Sequence, residues 1–78
     1  MFVVISYDIV DDKRRLKIAE KLEDYGARVQ FSVFECILDE ANFNELVNEL
    51  TGLIEEEDSL RFYTLCEGCL KRIKVFGT

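Results

Sequence analysis

The sequence predicts an α+β sandwich, one β-sheet covered on one face by two helices. Short runs of β-branched and aromatic residues recur along the chain, at 2–7, 28–38, 60–66 and 71–76. Two intervening stretches space their apolar residues as helices do. The segments therefore follow the order strand, helix, two strands, helix, strand and a last strand. Residues 1–78 are short enough to be one domain.

Phe2 to Tyr7 reads as a central strand ending at Asp8. Asp11 and Asp12 then offer two N-caps for a helix running to about Tyr25. Leu16, Ala19 and Leu22 form its apolar stripe, with Ile18 and Tyr25 beside it, and Gly26 stops it as a left-handed cap would. Arg28 to Leu38 is long for a single strand, so it is expected to be two strands with a tight bend near Phe31-Ser32, or one strongly kinked strand. From Asp39 to about Glu56, the positions Phe43, Leu46, Val47, Leu50, Leu53 and Ile54 form a wide apolar face opposite an acidic one. Leu60–Cys66 is a strand. Lys71-Arg72-Ile73-Lys74-Val75 alternates basic and apolar side chains like an edge strand. The first six elements give the βαββαβ pattern of a ferredoxin-like sandwich, with an extra C-terminal strand at about 71–76. Two helices cover one sheet face. The other, partly aromatic face stays open in a monomer, which points to a homodimer.

Composition excludes several classes. At 49% hydrophobic and 12% aromatic residues the chain is expected to fold. No apolar run approaches the length of about 20 residues that a membrane span needs, so no membrane association is expected. Residues 1–5 lack a basic region and a cleavage site, as in a cytoplasmic protein without an export signal. Histidine is absent, which removes Ser-His-Asp and Cys-His triads and every imidazole zinc site. The net charge of −6 is unevenly spread: residues 39–58 carry eight acids and no base. A local basic face for nucleic acid survives that total.

Asp8 is the first candidate for chemistry. A carboxylate at a strand end can hold a hard cation such as Mg²⁺, which keeps most of its own waters; two copies across a two-fold axis would supply two. The alternative is an Asx-type turn or a helix cap at Asp8. Asp11 and Asp12 are expected as caps. Lys13, Arg14, Arg15 and Lys17 put cations where they oppose the helix dipole, either to meet phosphate or to pair with Glu20, Glu23 or Asp24. Cys66-Glu-Gly-Cys69 is a C-x-x-C, but it is expected to join two strands rather than to open a helix, and a zinc site would need Cys36 or a second chain as well. Tyr7, Phe31 and Phe34 read as sheet core or dimer contact, with base stacking a further option.

Val-Ile-Ser-Tyr7-Asp8-Ile-Val-Asp11-Asp12-Lys-Arg-Arg15, followed by Gly26-Ala-Arg28-Val-Gln30-Phe-Ser32-Val-Phe34-Glu35, closely resembles the small CRISPR-associated Cas-two family, over nearly the whole chain. The resemblance implies a ferredoxin-like homodimer whose C-terminal strand extends the partner's sheet. It implies partnership with the CRISPR integrase, the Cas-one protein, in spacer acquisition on duplex DNA. It also implies metal-dependent endonuclease activity on single-stranded RNA or duplex DNA, with Mg²⁺ or Mn²⁺. On that resemblance Asp8 is the metal-binding carboxylate, and Tyr7, Arg15, Arg28 and Phe34 match positions tied to catalysis or substrate contact. Lys17 stands where some relatives carry arginine. Arg14, Arg15, Lys17 and Arg28 are the expected nucleic-acid contacts. A purely structural DNA-binding adaptor of the integrase is the alternative role.

Overall fold

The computed structural model describes residues 1–76, apart from the side chain of Cys69. Its elements are β1 (Phe2–Asp8), α1 (Asp12–Glu23), β2 (Gly26–Gln30), β3 (Val33–Ile37), α2 (Glu40–Thr51), β4 (Ser59–Leu65) and a single turn of helix, α3 (Glu67–Leu70). The sheet has the order β2-β3-β1-β4, and every neighbouring pair is antiparallel. That order is the ferredoxin-like one, with β1 at the centre.

The period-two alternation of strand side chains decides the layers. Val3, Ile5 and Tyr7 of β1 and Phe34 and Cys36 of β3 point to one face and are buried. Ile18, Ala19 and Leu22 of α1 and Leu46 and Leu50 of α2 close over them. Neither long helix covers the opposite face, where the α3 turn borders a hollow with Phe2, Ile37 and Leu65. Across that face, Phe2 stands between Ile37 and Leu65, and Val4 between Glu35 and Tyr63.

Both long helices start on an aspartate. Asp11 accepts from the Arg14 amide at 2.9 Å and Asp39 from the Asn42 amide at 2.7 Å, which satisfies an orphan donor at each N-terminus. The 28–38 stretch is two strands turning at Phe31-Ser32, with a register shift between Arg28 and Gln30.

Three expectations need correction. Leu16 is 60% exposed, because the buried stripe of α1 runs through Ile18, Ala19 and Leu22 instead. Gly26 is not a left-handed cap: α1 ends at Asp24 in the right-handed region. Gly26 lies in β2 opposite Cys36, where a Cβ would stand 2.3 Å from the Glu35 carbonyl oxygen and 2.5 Å from the Cys36 sulfur. The glycine is there for that close approach. The Cys66–Cys69 segment opens a helical turn after β4 and does not link two strands; the Cys69 side chain lies outside the described residues. Within the single chain residues 71–76 form no ladder. A strand needs a neighbour for its backbone groups, and pairing across a dimer was the expectation for this segment.

Candidate functional site

Asp8 ends β1 on the open sheet face, directly opposite Ser59 of β4. Its neighbour Tyr7 points the other way, into the core, and its hydroxyl donates to the Phe31 carbonyl at 3.3 Å. The Tyr7 amide also donates to the Ser32 carbonyl at 3.1 Å. Tyr7 therefore pins the β2–β3 turn against the end of β1. Neither an Asx turn nor a helix cap forms at Asp8. Asp11 is the cap, and Asp12 pairs with Arg15 at 2.6 Å.

The Asp8 carboxylate is exposed and accepts no hydrogen bond and forms no ion pair among the described residues. It faces two shallow clefts. One, of about 390 Å³, is lined by Tyr7, Asp8, Arg15, Phe31 and Ser32. The other, of about 240 Å³, lies along β4 with Ser59, Arg61 and Tyr63. A third hollow continues the first past Tyr7, Arg15 and Phe31 to Arg28 and Leu16. Phe31 is 75% exposed at this junction, although its β-rich surroundings suggested core or dimer contact.

The expected cations divide into three groups. Arg28 lies over the Phe34 ring and meets no carboxylate among the described residues. Arg15 donates from Nε and Nη2 to the Ile9 carbonyl at 3.2 and 2.9 Å, and from Nη2 to that of Val10 at 3.3 Å. It thus braces the loop after Asp8, while its Nη1 pairs with Asp12. Arg14 has another task. It forks onto Asp58, Nε to Oδ2 at 2.8 Å and Nη2 to Oδ1 at 3.2 Å, and reaches Glu57 at 2.9 Å. Those bonds raise the guanidinium pKa above its already high value, and they occupy the fork that phosphate would need. Lys17 is turned away, beside Glu20, Lys21, Asp24 and Glu49 in the groove between the helices. Only Arg15 and Arg28 of the four expected contacts share a hollow near Asp8.

Phe34 is fully buried, and the side chain that lies over its ring toward the cleft is Arg28. Asp58 is the residue that the sequence reading missed. It belongs to the acidic run taken as a solvated face, yet its side chain is 0% exposed. The Arg14 hydrogen bond, against the opposing effect of burial, holds its carboxyl well below the usual carboxylate range. Its place as the last acid before β4 was the available signal, since a turn aspartate often folds back on the backbone.

The donor set suits a hard cation only in part. One uncommitted, exposed carboxylate fits a Mg²⁺ or Mn²⁺ ion that keeps most of its waters. No group of three possible ligands exists among the described residues, so a fuller set needs a second copy of Asp8. Cys36 is buried in the core, and burial pushes its thiol pKa up.

A family model described as CRISPR associated protein Cas2 matches residues 1–73. A Synechocystis relative named CRISPR-associated endoribonuclease Cas2 3 is 53% identical over 75 residues, covering 95% of this chain and 82% of its own. A Halalkalibacterium halodurans relative named CRISPR-associated endonuclease Cas2 is 43% identical and covers 99% of this chain and 86% of its own. The crystal structure of Streptococcus pyogenes Cas2 matches with a TM-score of 0.84 at 38% identity, over 99% of this chain and all of that one. A chain of a partial Cas6-RT-Cas1–Cas2 complex also matches with a TM-score of 0.84, at 33% identity over 95% and 88%. With the fold, the strand-end carboxylate and these matches in agreement, the chain belongs to the CRISPR-associated Cas2 family.

Proposed function

We propose that the chain works in CRISPR spacer acquisition as a homodimer that joins Cas1 integrase units on duplex DNA, and that it is a divalent-metal-dependent endonuclease for single-stranded RNA or duplex DNA. The observation that carries the nuclease reading is the uncommitted Asp8 carboxylate beside a cleft bearing Arg15, with Arg28 in the adjoining hollow. The names of the curated relatives support it. The sheet face left open by α1 and α2, with Ile37 81% exposed at its apolar end, supports a second copy.

The Asp8 carboxylates of two copies are the groups that would hold a Mg²⁺ or Mn²⁺ ion. When bound, the ion would supply positive charge and a water of lowered pKa for hydrolysis of the phosphodiester, in which the P–O bond to that water forms as the ester P–O bond breaks and the leaving oxygen takes a proton. Arg28, with its donors uncommitted, grips a non-bridging phosphate oxygen. Arg15 keeps the loop after Asp8 in place. Tyr7 sets the β2–β3 turn that forms the cleft wall, and Phe34 supports Arg28 from below.

The test is incubation of wild type and Asp8→Asn with labelled single-stranded RNA and duplex DNA, with Mg²⁺ and with chelator. Cleavage by wild type alone, abolished by chelation, is the expected outcome. Equal cleavage by both proteins would sink the catalytic reading. The adaptor role without hydrolysis is a second reading, favoured by the match to a chain from a complex that contains Cas1. It predicts sequence-independent DNA binding that falls steeply with salt, with Asp8→Asn binding as wild type does.

A further inference from the structure

The loop between β1 and α1, residues 9–11, directly follows Asp8 and has its polar backbone groups held by side chains on both sides. From one side Arg15 donates to the carbonyls of Ile9 and Val10. From the other side the Val10 amide donates to Asp58 Oδ1 at 3.0 Å. Asp58 lies 48 residues away in sequence and is sealed from solvent. Its second oxygen accepts the Glu55 amide at 2.9 Å and Arg14 Nε at 2.8 Å. Arg14 also reaches Oδ1, so one buried carboxylate meets donors from α1, from the loop after Asp8 and from the loop before β4. A buried charge is tolerated only when it is paired and hydrogen-bonded, and here every bond also fixes a loop.

We propose that Asp58 is a positioning residue for the Asp8 site: through Val10 and Arg14 it anchors the loop that holds the Asp8 carboxylate in its pose. The argument rests on the reading of Asp8 as a metal ligand, but the anchoring itself does not. Asparagine at 58 keeps the shape and gives up one acceptor, so a donor must face either the Arg14 fork or a backbone amide. In one orientation the loop loses the Val10 bond itself; in the other, residue 58 loses the Glu55 and Arg14 Nε bonds that hold its side chain against Val10; the core beneath is unchanged in both.

Amide order parameters and the Mn²⁺ broadening of amide signals, measured by NMR on the full chain, test this in wild type, Asp58→Asn and Leu50→Val. Leu50→Val is a core variant of α2 that lowers the melting temperature without touching the loop. In wild type the amides of Asp8, Ile9 and Val10 should be rigid, near about 0.85; in Asp58→Asn they should fall toward about 0.6. The Mn²⁺ concentration that half-broadens the Asp8 signal should rise about tenfold, the effect reported for partners that orient metal ligands. Leu50→Val should change neither. If Asp58→Asn does not fold, Arg14→Gln, which leaves the Val10 bond in place, should show a smaller shift in the same direction. Wild-type order parameters in the folded Asp58→Asn protein, or an equal loss in Leu50→Val, would overturn the proposal. Absence of Mn²⁺ broadening at Asp8 in wild type would overturn the metal reading, and the order parameters would still decide the role of Asp58.

Discussion

The Arg28 guanidinium lies over the ring of Phe34, 5.3 Å from its centroid. Arg28 of β2 and Phe34 of β3 are direct cross-strand partners. The ring is buried and the cation is exposed at the edge of the cleft system, so the pair joins the core to the site.

Phe34→Leu should weaken nucleic-acid binding about two- to fivefold while the chain stays folded. A cation–π contact at an exposed site is worth about 0.5–1 kcal/mol. In the Arg28→Ala background the same substitution should cost little, and binding anisotropy at fixed salt on all four proteins measures that coupling. Additive losses would mean that Phe34 does not act through Arg28.

Two glycines should respond oppositely to alanine. At Gly26 the new methyl meets the Glu35 carbonyl and the Cys36 sulfur well inside contact distance, so a loss of about 1–3 kcal/mol or more is expected. Gly52 caps α2 in the right-handed region, and a Cβ there would find its nearest neighbours at an ordinary 3.5 Å. Gly52→Ala should gain about 0.4–1 kcal/mol by restricting the unfolded chain. Urea midpoints at constant m-value separate the two.

Asp58 should make the fold acid-sensitive. Its folded pKa is depressed, chiefly by Arg14, so the unfolded chain takes up this proton first as pH falls. The stabilisation is complete above the ordinary aspartate value of about 3.9 and is lost as pH drops below it toward the depressed value. Melting temperatures between pH 6 and pH 2 should fall less steeply for Asp58→Asn than for wild type, starting from a lower plateau. Parallel profiles would show that other carboxylates govern acid unfolding.

The open sheet face should be the seat of self-association. Ile37 is largely exposed beside Phe2, so Ile37→Lys adds charge to an apolar patch without disturbing the core. Light scattering should show a shift from dimer to monomer with the melting curve nearly intact. An unchanged dimer would place the interface elsewhere.

The sequence by itself determined the order of the first six elements, the two-strand or kinked alternative at 28–38, the aspartate starts of both helices and Asp8 as the candidate carboxylate. These are local properties: hydrophobic period, cap chemistry and turn residues act over a few positions. Tertiary structure decided what depends on who stands opposite whom. It chose two strands at Phe31-Ser32, because β2 folds back along β3. It assigned Gly26 to a close strand approach, which no single-strand pattern can reveal. It also sorted four similar cations. Arg14 went to a sealed carboxylate, Lys17 to the helix groove, and Arg15 and Arg28 to the hollow beside Asp8. Long-range pairing between charges depends on how separate loops meet, and that is set only when the two helices close over the sheet.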